Sequence, residues 1–456
     1  MPNIRRGMMA AAGAGAAGGH VNTPFTAYYY LGWGRNTSGQ LGQGNTTIFS
    51  SPVQIGGKLY RAFAMGASGY PGAGNTGAVD TDGKLFTCGN AADGALGDGT
   101  TTDKSSPVQI GSATDWGMVA TAGAGPGRNY TTAAKTDGTL WSWGNNENGC
   151  LGQNNLTDIC SPVQIGSLTD WRAIGSDGNI AKSRYAIKSD GTIWCWGYGG
   201  KANSEGSLGL GAQTTSYSSP VQIGSLTDWG DGEFSIENNQ RMGAGVGQMN
   251  VIKSDGTMWG WGQNDKGQLS DGSKIARNSP VQAVGGGTAW NIFCTNDESV
   301  CAIDTDGKLW SWGRNSDGQL GLGNTTYYSS PQQIGSATDW VLVSGLRDHR
   351  AAINSSGVLY TWAGNRDGSL GLGDITNRCV PTQVGSLTDW KYINFSTSAG
   401  TAVKTDGTGW AWGVHRETPF ESDVSYSSPV QIGTRTDYTW ASAFSAGGLI
   451  ASSATI

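Results

Sequence analysis

Ala133-Ala134-Lys135-Thr136-Asp137-Gly138-Thr139-Leu140-Trp141-Ser142-Trp143-Gly144 spells out a β-hairpin. Two short runs of alternating polarity flank Asp137-Gly138, and an Asp-Gly pair between such runs is the strongest short-range signal for a tight hairpin. Trp141 and Trp143 stand two residues apart, so they share one face of their strand and need a neighbouring sheet to cover them. Downstream comes Ser161-Pro162-Val163-Gln164-Ile165-Gly166, and then Thr169-Asp170-Trp171 opens another strand.

The same unit recurs along the chain. Its proline returns as Pro52, Pro107, Pro162, Pro220, Pro280, Pro331, Pro381 and Pro429, about every fifty residues, a period that marks propellers, solenoids and arrays. The Trp-Gly landmark keeps the same beat as Trp33-Gly34, Cys88-Gly89, Trp143-Gly144, Trp196-Gly197, Trp261-Gly262, Trp312-Gly313, Trp362-Ala363 and Trp412-Gly413. Asp-Gly hairpins recur at Asp82, Asp190, Asp255, Asp306 and Asp406, with Ser356-Gly357 as a variant. No long helical period appears. Short strands with no helix to cover them suit radial blades stacked face to face, so the fold expected is an all-β closed propeller of eight four-stranded blades.

The ends point to the same ring. The first Trp-Gly strand, from Tyr28 to Gly34, lacks a preceding partner, and the last partner strand, from Gly447 to Ser453, lacks a following one. Pairing them completes the last blade with the N-terminal strand and removes two sheet edges. The 75 glycines among 456 residues fit a body rich in turns with positive φ.

Trp-Gly, Asn-x-x-Gly-x-Leu-Gly and Asp-Gly within one period resemble the repeats of the regulator of chromosome condensation family, from about Tyr28 to the C-terminus. The resemblance implies a β-propeller, in that family usually of seven blades. Eight legible copies depart from that number, and seven is the alternative. The family includes plant ultraviolet-B photoreceptors, but 18 of the 19 tryptophans here are locked to repeat positions and only Trp440 is not, so blade packing accounts for them. The photoreceptor's Gly-Trp-Arg-His-Thr signature is absent.

Chemistry-bearing constellations are missing from the repeat. The seven cysteines form no Cys-x-x-Cys pair, and His20, His349 and His415 are scattered without ligand spacing, so neither a zinc site nor another metal or cofactor is expected. Asp80 to Gly83 and Asp304 to Gly307 look like the start of a calcium loop but coincide with the hairpin turn and lack the downstream glutamate. No nucleophile-base motif or phosphate-binding loop is present, and the chain is read as a non-enzyme. With 29 Lys and Arg against 35 Asp and Glu, the formal charge of −6 disfavours nucleic acid and anionic membrane surfaces as partners. No apolar run reaches the roughly 20 residues needed to insert into a bilayer.

Function is expected where the copies disagree. Three residues before each proline stand Phe49, Lys104, Ile159, Tyr217, Arg277, Tyr328, Arg378 and Tyr426, read as one equivalent loop on one rim. Aromatic and arginine side chains of this kind are favoured in binding patches, which makes Phe49, Lys104, Tyr217, Arg277, Tyr328, Arg378 and Tyr426 the candidate partner-binding residues. Tyr198 to Ser207 and Gly230 to Asn250 lengthen two intervals and are read as loop insertions suited to recognition. Residues 1–27 form an Ala/Gly-rich segment ahead of the propeller body of 28–456. Its apolar portion is a poor secretory or twin-arginine leader, broken by glycine. The opening Arg-Arg-Gly-Met-Met-Ala-Ala-Ala-Gly resembles the start of tailed-bacteriophage structural proteins, which implies a peptide docking through Ile4, Arg5, Arg6, Met8 and Met9 onto other virion proteins. The leading expectation is a virion structural protein, of tail or capsid, whose propeller decorates the particle or meets a host-surface protein or glycan through one rim. A secreted or cellular protein-binding propeller, like the family's β-lactamase inhibitors, is the alternative. Guanine-nucleotide exchange, the activity of the family's founding member, ranks third because the tail offers only Arg5 and Arg6 as basic residues.

Overall fold

The computed structural model describes residues 27–66, 74–123, 129–176, 183–200, 207–211, 215–229, 241–245, 247–286, 289–296, 298–414, 418–420, 424–444 and 447–452. The expected docking residues Ile4, Arg5, Arg6, Met8 and Met9, together with His20 and His415, lie outside them. Within the described residues the chain forms eight four-stranded antiparallel sheets and one short 3-10 turn, Ala92–Gly94.

Blade 1 shows the pattern: Tyr60–Met65, Asn75–Asp80, Leu85–Gly89 and Lys104–Gln109 pair in that order. Blades 2 to 7 repeat it over 116–164, 171–222, 242–282, 290–333, 340–383 and 390–431. Blade 8 joins the chain ends: Tyr438–Phe444 pairs with Gly447–Ser452, which pairs with Tyr29–Gly34, which pairs with Phe49–Gln54. Tyr30 faces Ala451 and Trp33 faces Gly448 across that closure. The expected eight-bladed ring, completed by the N-terminal strand, is the observed fold.

Eight hydrophobic clusters each straddle one pair of neighbouring blades and so close the circle. Ala62, Val79 and Leu85 of blade 1 meet Trp116 and Trp143 of blade 2, and the series continues to Tyr30 and Trp440 of blade 8 against Tyr60 and Phe63 of blade 1. First strands of adjacent blades lie against one another, Tyr60–Met65 on Trp116–Gly123 and Trp340–Leu346 on Trp390–Phe395, so they converge on the axis. The Pro-led fourth strands form the perimeter, where a residue without an N–H belongs on an exposed edge.

Two kinds of joint recur at the seams, one at either end of the blade. At the hairpin end, the turn glycine's carbonyl accepts the backbone N–H of the Thr-Asp-Trp corner in the next blade: Trp116 to Gly83, Trp171 to Gly138, Trp229 to Gly191, Trp290 to Gly256, Trp340 to Gly307, Trp390 to Gly357 and Tyr438 to Gly407. Blade 8 has no such turn because its hairpin is where the chain begins and ends, and Tyr28 supplies the carbonyl to Tyr60 N–H at 3.0 Å instead. At the other end, the Trp-Gly indole donates to a carbonyl in the turn of the preceding blade: Trp143 to Ala95, Trp196 to Cys150, Trp261 to Ser207, Trp312 to Gln268, Trp362 to Gln319 and Trp412 to Ser369, at 2.7–3.0 Å. Cys88 takes this place in blade 1, and the corresponding Gln40 carbonyl receives the Thr76 hydroxyl at 2.7 Å and the Cys88 thiol at 3.7 Å. Asp80 and Asp304, read as turn residues rather than calcium ligands, cap their own hairpins by accepting backbone N–H groups two and four residues on.

Candidate functional site

Once the repeated residues are assigned to the ring, the loops joining third to fourth strands remain as a variable surface among the described residues. In five blades the loop is organised by a buried asparagine. Asn365 Oδ1 accepts Leu370 N–H at 2.9 Å while Nδ2 donates to the carbonyls of Asp374 at 3.0 Å and Thr376 at 3.1 Å. Asn36, Asn146, Asn264 and Asn315 do the same in their blades. A buried amide that satisfies both its oxygen and its nitrogen on backbone fixes a loop that has no secondary structure of its own. The loop tip is thereby held outward at the perimeter.

The candidate partner-binding residues sit at one rim, but at strand starts rather than on loops. Phe49, Lys104, Tyr217, Arg277, Tyr328, Arg378 and Tyr426 each open a fourth strand and face the residue that follows the tryptophan or Cys88, from Gly34 to Gly413. All are half-buried, and their side chains are engaged within the ring. Lys104 pairs with Asp98 at 3.2 Å, Arg277 with Asp271 at 2.5 Å and Arg378 with Asp374 at 2.5 Å. Burial opposes ionisation of Asp98 and Asp271, yet hydrogen bonds from Thr100 and Ser273, and then Lys104 and Arg277, hold both carboxyls below the usual range. The Thr376 N–H, then Arg378, does this for Asp374. Phe49 and Tyr217 pack on inter-blade clusters, Tyr426 stacks edge-on against Phe420 at 5.1 Å, and the Tyr328 hydroxyl meets Asn324 Nδ2 at 3.5 Å.

What this rim offers to solvent stands one to three residues earlier. Ile48, Leu156, Ile275, Ile375 and Val424 are 62, 63, 64, 67 and 60% exposed on equivalent loops of blades 8, 2, 4, 6 and 7. A reading that favours aromatic and arginine side chains passes over them. The signal was present as a single aliphatic residue in each polar loop: Thr47-Ile48-Phe49, Asn155-Leu156-Thr157, Lys274-Ile275-Ala276 and Asp374-Ile375-Thr376. Of the two stretches read as insertions, Tyr198 to Ser207 falls in the third-to-fourth loop of blade 3, with 201–206 outside the described residues. The other is not loop throughout, since Met242–Ala244 and Gln248–Ile252 are the first two strands of blade 4.

No group of three or more metal-ligating side chains gathers among the described residues. His349 is buried with Nδ1 2.8 Å from the Gly364 carbonyl and Nε2 3.0 Å from the Thr397 carbonyl, a packing position in blade 6. Burial lowers its pKa.

Residues 82–127, 137–176 and 306–353 match the model of the Regulator of chromosome condensation (RCC1) repeat, and 292–319 match a second model of that repeat. Those stretches carry RCC1 repeats. Similar proteins include the E3 ubiquitin-protein ligase HERC2 of Mus musculus, 28% identical over 67% of this chain but 6% of the ligase. The Ultraviolet-B receptor UVR8 of Arabidopsis thaliana is 28% identical over 66% of this chain and 64% of the receptor. Among solved structures, human WBSCR16 covers 94% of this chain and 100% of its own with a TM-score of 0.58 at 15% identity. Yeast RCC1 (Prp20) covers 94% and 89% with a TM-score of 0.55 at 14% identity, and both likenesses concern the fold alone.

Proposed function

We propose that this chain is a non-catalytic, protein-binding RCC1-repeat propeller that docks partners on the rim of third-to-fourth loops. One observation carries the reading: five aliphatic side chains, 60–67% exposed, recur on equivalent loops of a rigid ring. Single exposed aliphatics are ordinary, but their recurrence on the equivalent loop of five blades is not scatter. The half-buried ring of Lys104, Arg277, Arg378 and tyrosines behind them supplies a polar rim, the usual anatomy of a protein interface. The ligase activity in HERC2's name belongs to a protein of which the match covers 6%.

The finer reading is a virion structural protein, with the N-terminal segment seated among other virion proteins through Ile4, Arg5, Arg6, Met8 and Met9 and the rim turned to a host-surface protein or glycan. The opening sequence and the acidic body support it. A cellular protein-binding role is the second reading, favoured because the relatives named above come from Mus musculus and Arabidopsis thaliana and neither is a virion protein. Mass spectrometry of purified particles separates the two: peptides from this chain support the virion role, and their absence selects the cellular one. For the rim itself, affinity capture compares the wild-type chain with an Ile48, Leu156, Ile275 and Ile375 to Ser variant. Loss of captured partners with unchanged circular dichroism supports the rim, and equal capture removes it.

A further inference from the structure

Blade 5 sets two thiols face to face. Cys294, in the strand Trp290–Thr295, and Cys301, in Ser299–Asp304, are direct register partners. Opposed residues of an antiparallel pair have α-carbons about 4.5–5.5 Å apart, inside the roughly 4.4–6.8 Å that disulfides span. Both side chains belong to the seam with blade 6, where Cys301 is fully buried beside Val343 and Trp362 and Cys294 packs on the same cluster while staying partly open to solvent. The other buried thiols point at carbonyls instead, Cys88 at Gln40, Cys150 at Asn145 and Cys195 at Leu208.

The two sulfurs are chemically unequal. Arg350 of blade 6 is fully buried, donates to the Ser299 hydroxyl at 2.7 Å and the His349 carbonyl at 2.9 Å, and keeps Nε without a partner. The Cys301 S–H hydrogen-bonds Cys294, and this bond, opposed by burial and aided by the Arg350 charge, holds the Cys294 thiol below its ordinary range. Burial pushes Cys301 up. A partly exposed thiol beside a cation is the attacking sulfur, and a buried neighbour is the resolving one.

We propose that Cys294 and Cys301 form a peroxide-responsive pair that closes to a cross-strand disulfide. The Cys294 thiolate attacks one oxygen of hydrogen peroxide, an S–O bond forms as the O–O bond breaks, and the departing hydroxide takes a proton to become water. Cys301 then loses its proton and attacks the Cys294 sulfenic sulfur. The S–S bond forms, the S–O bond breaks, and the second hydroxide leaves as water with the proton Cys301 gave up. Two thiols are oxidised and one peroxide is reduced to two waters. The bond would close only a short hairpin loop, where loop-closure entropy is small, so it is a chemical mark more than a stabilising staple.

The test uses the full chain treated with hydrogen peroxide, alkylated, and digested without reductant by a protease that cuts after Glu298, between the two cysteines. The expected product is a linked pair of peptides that separates with dithiothreitol, from a chain lighter by two hydrogens. Cys301→Ser should instead leave Cys294 as a sulfenic acid trapped by dimedone, and Cys294→Ser should give no linked product. Wild-type chain in which Cys294 and Cys301 are both alkylated, or Cys294 is a sulfinic acid, at a dose that oxidises the partly exposed Cys160 and Cys379 would overturn the proposal.

Discussion

At the scale of single residues, the Trp-Gly and Gly-x-Leu-Gly motifs prove to be two halves of one contact. The Trp412 indole reaches the Ser369 carbonyl at 2.7 Å, and a Cβ on Gly371, whose φ is +73°, would lie 2.9 Å from that indole nitrogen. The glycine is required twice, by its backbone angle and by the ring above it. Gly371→Ala is expected to destabilise by about 1–3 kcal/mol, read from the urea midpoint at unchanged slope. Trp412→Phe leaves a buried carbonyl without its donor and should cost about 1–3 kcal/mol with little change in shape. The tryptophans and glycines were each legible in the sequence as packing residues. Their pairing was not, because the acceptor lies 43 residues upstream in another blade and is a backbone atom that no side chain advertises.

At the scale of the element, the hairpin turn exists in two wirings that place its lysine at opposite ends of the turn. In Lys135-Thr136-Asp137-Gly138-Thr139, Trp141 Nε1 donates to the Thr139 hydroxyl, which donates to Asp137, and Lys135 lies 5.0 Å from the Trp141 ring centre and 3.2 Å from Asp115. In Asp304-Thr305-Asp306-Gly307-Lys308, Trp310 Nε1 donates directly to Asp304 at 2.9 Å, and the lysine has moved to the end of the turn. Lys135→Asp alone should cost about 1–2 kcal/mol through the lost cation-π and ion-pair contacts. In an Asp115→Ala background, which matches Ala289 at the corner of the second wiring, Lys135→Asp with Thr139→Lys should recover at least half of the cost of Lys135→Asp. A double-mutant cycle measures the recovery. The first wiring also sets an acid limit. The Thr257 and Thr408 hydroxyls hold Asp255 and Asp406 below the usual carboxylate range. A folded value below the unfolded value of about 3.9 means the contribution is complete above that pH and fades as pH falls through the folded value. Thr408→Val should therefore move the acid-unfolding midpoint, followed by tryptophan fluorescence, to higher pH. The hairpin was readable from Asp-Gly and alternation alone. The rim was read less well, because half-burial of Arg277, Arg378 and Tyr217 depends on neighbours that only the folded loop supplies.

At the scale of the whole molecule, the ring is a chain of equal seams with one exception, the blade in which the two ends of the polypeptide meet. The repeat count and the two unpartnered terminal strands made this closure legible, since a strand without a hairpin partner has to find one elsewhere. The sequence did not reveal how the exception is repaired: Tyr28 stands in for the missing turn carbonyl, and Gly448 leaves room for Trp33, whose ring would lie 2.0 Å from a Cβ there. Gly448→Val should lower the melting temperature by many degrees and broaden the transition, as should deletion of 447–456, because either opens every seam to fraying from one end. The most direct measurement is a cross-link between the termini. Tyr29 and Ser452 are register partners in blade 8, so a Tyr29→Cys, Ser452→Cys double variant should oxidise within one chain to a disulfide between the two introduced thiols, mapped by non-reducing mass spectrometry, without linking separate chains. Failure of that bond to form, or its formation only between separate chains, would contradict the closed eight-bladed ring.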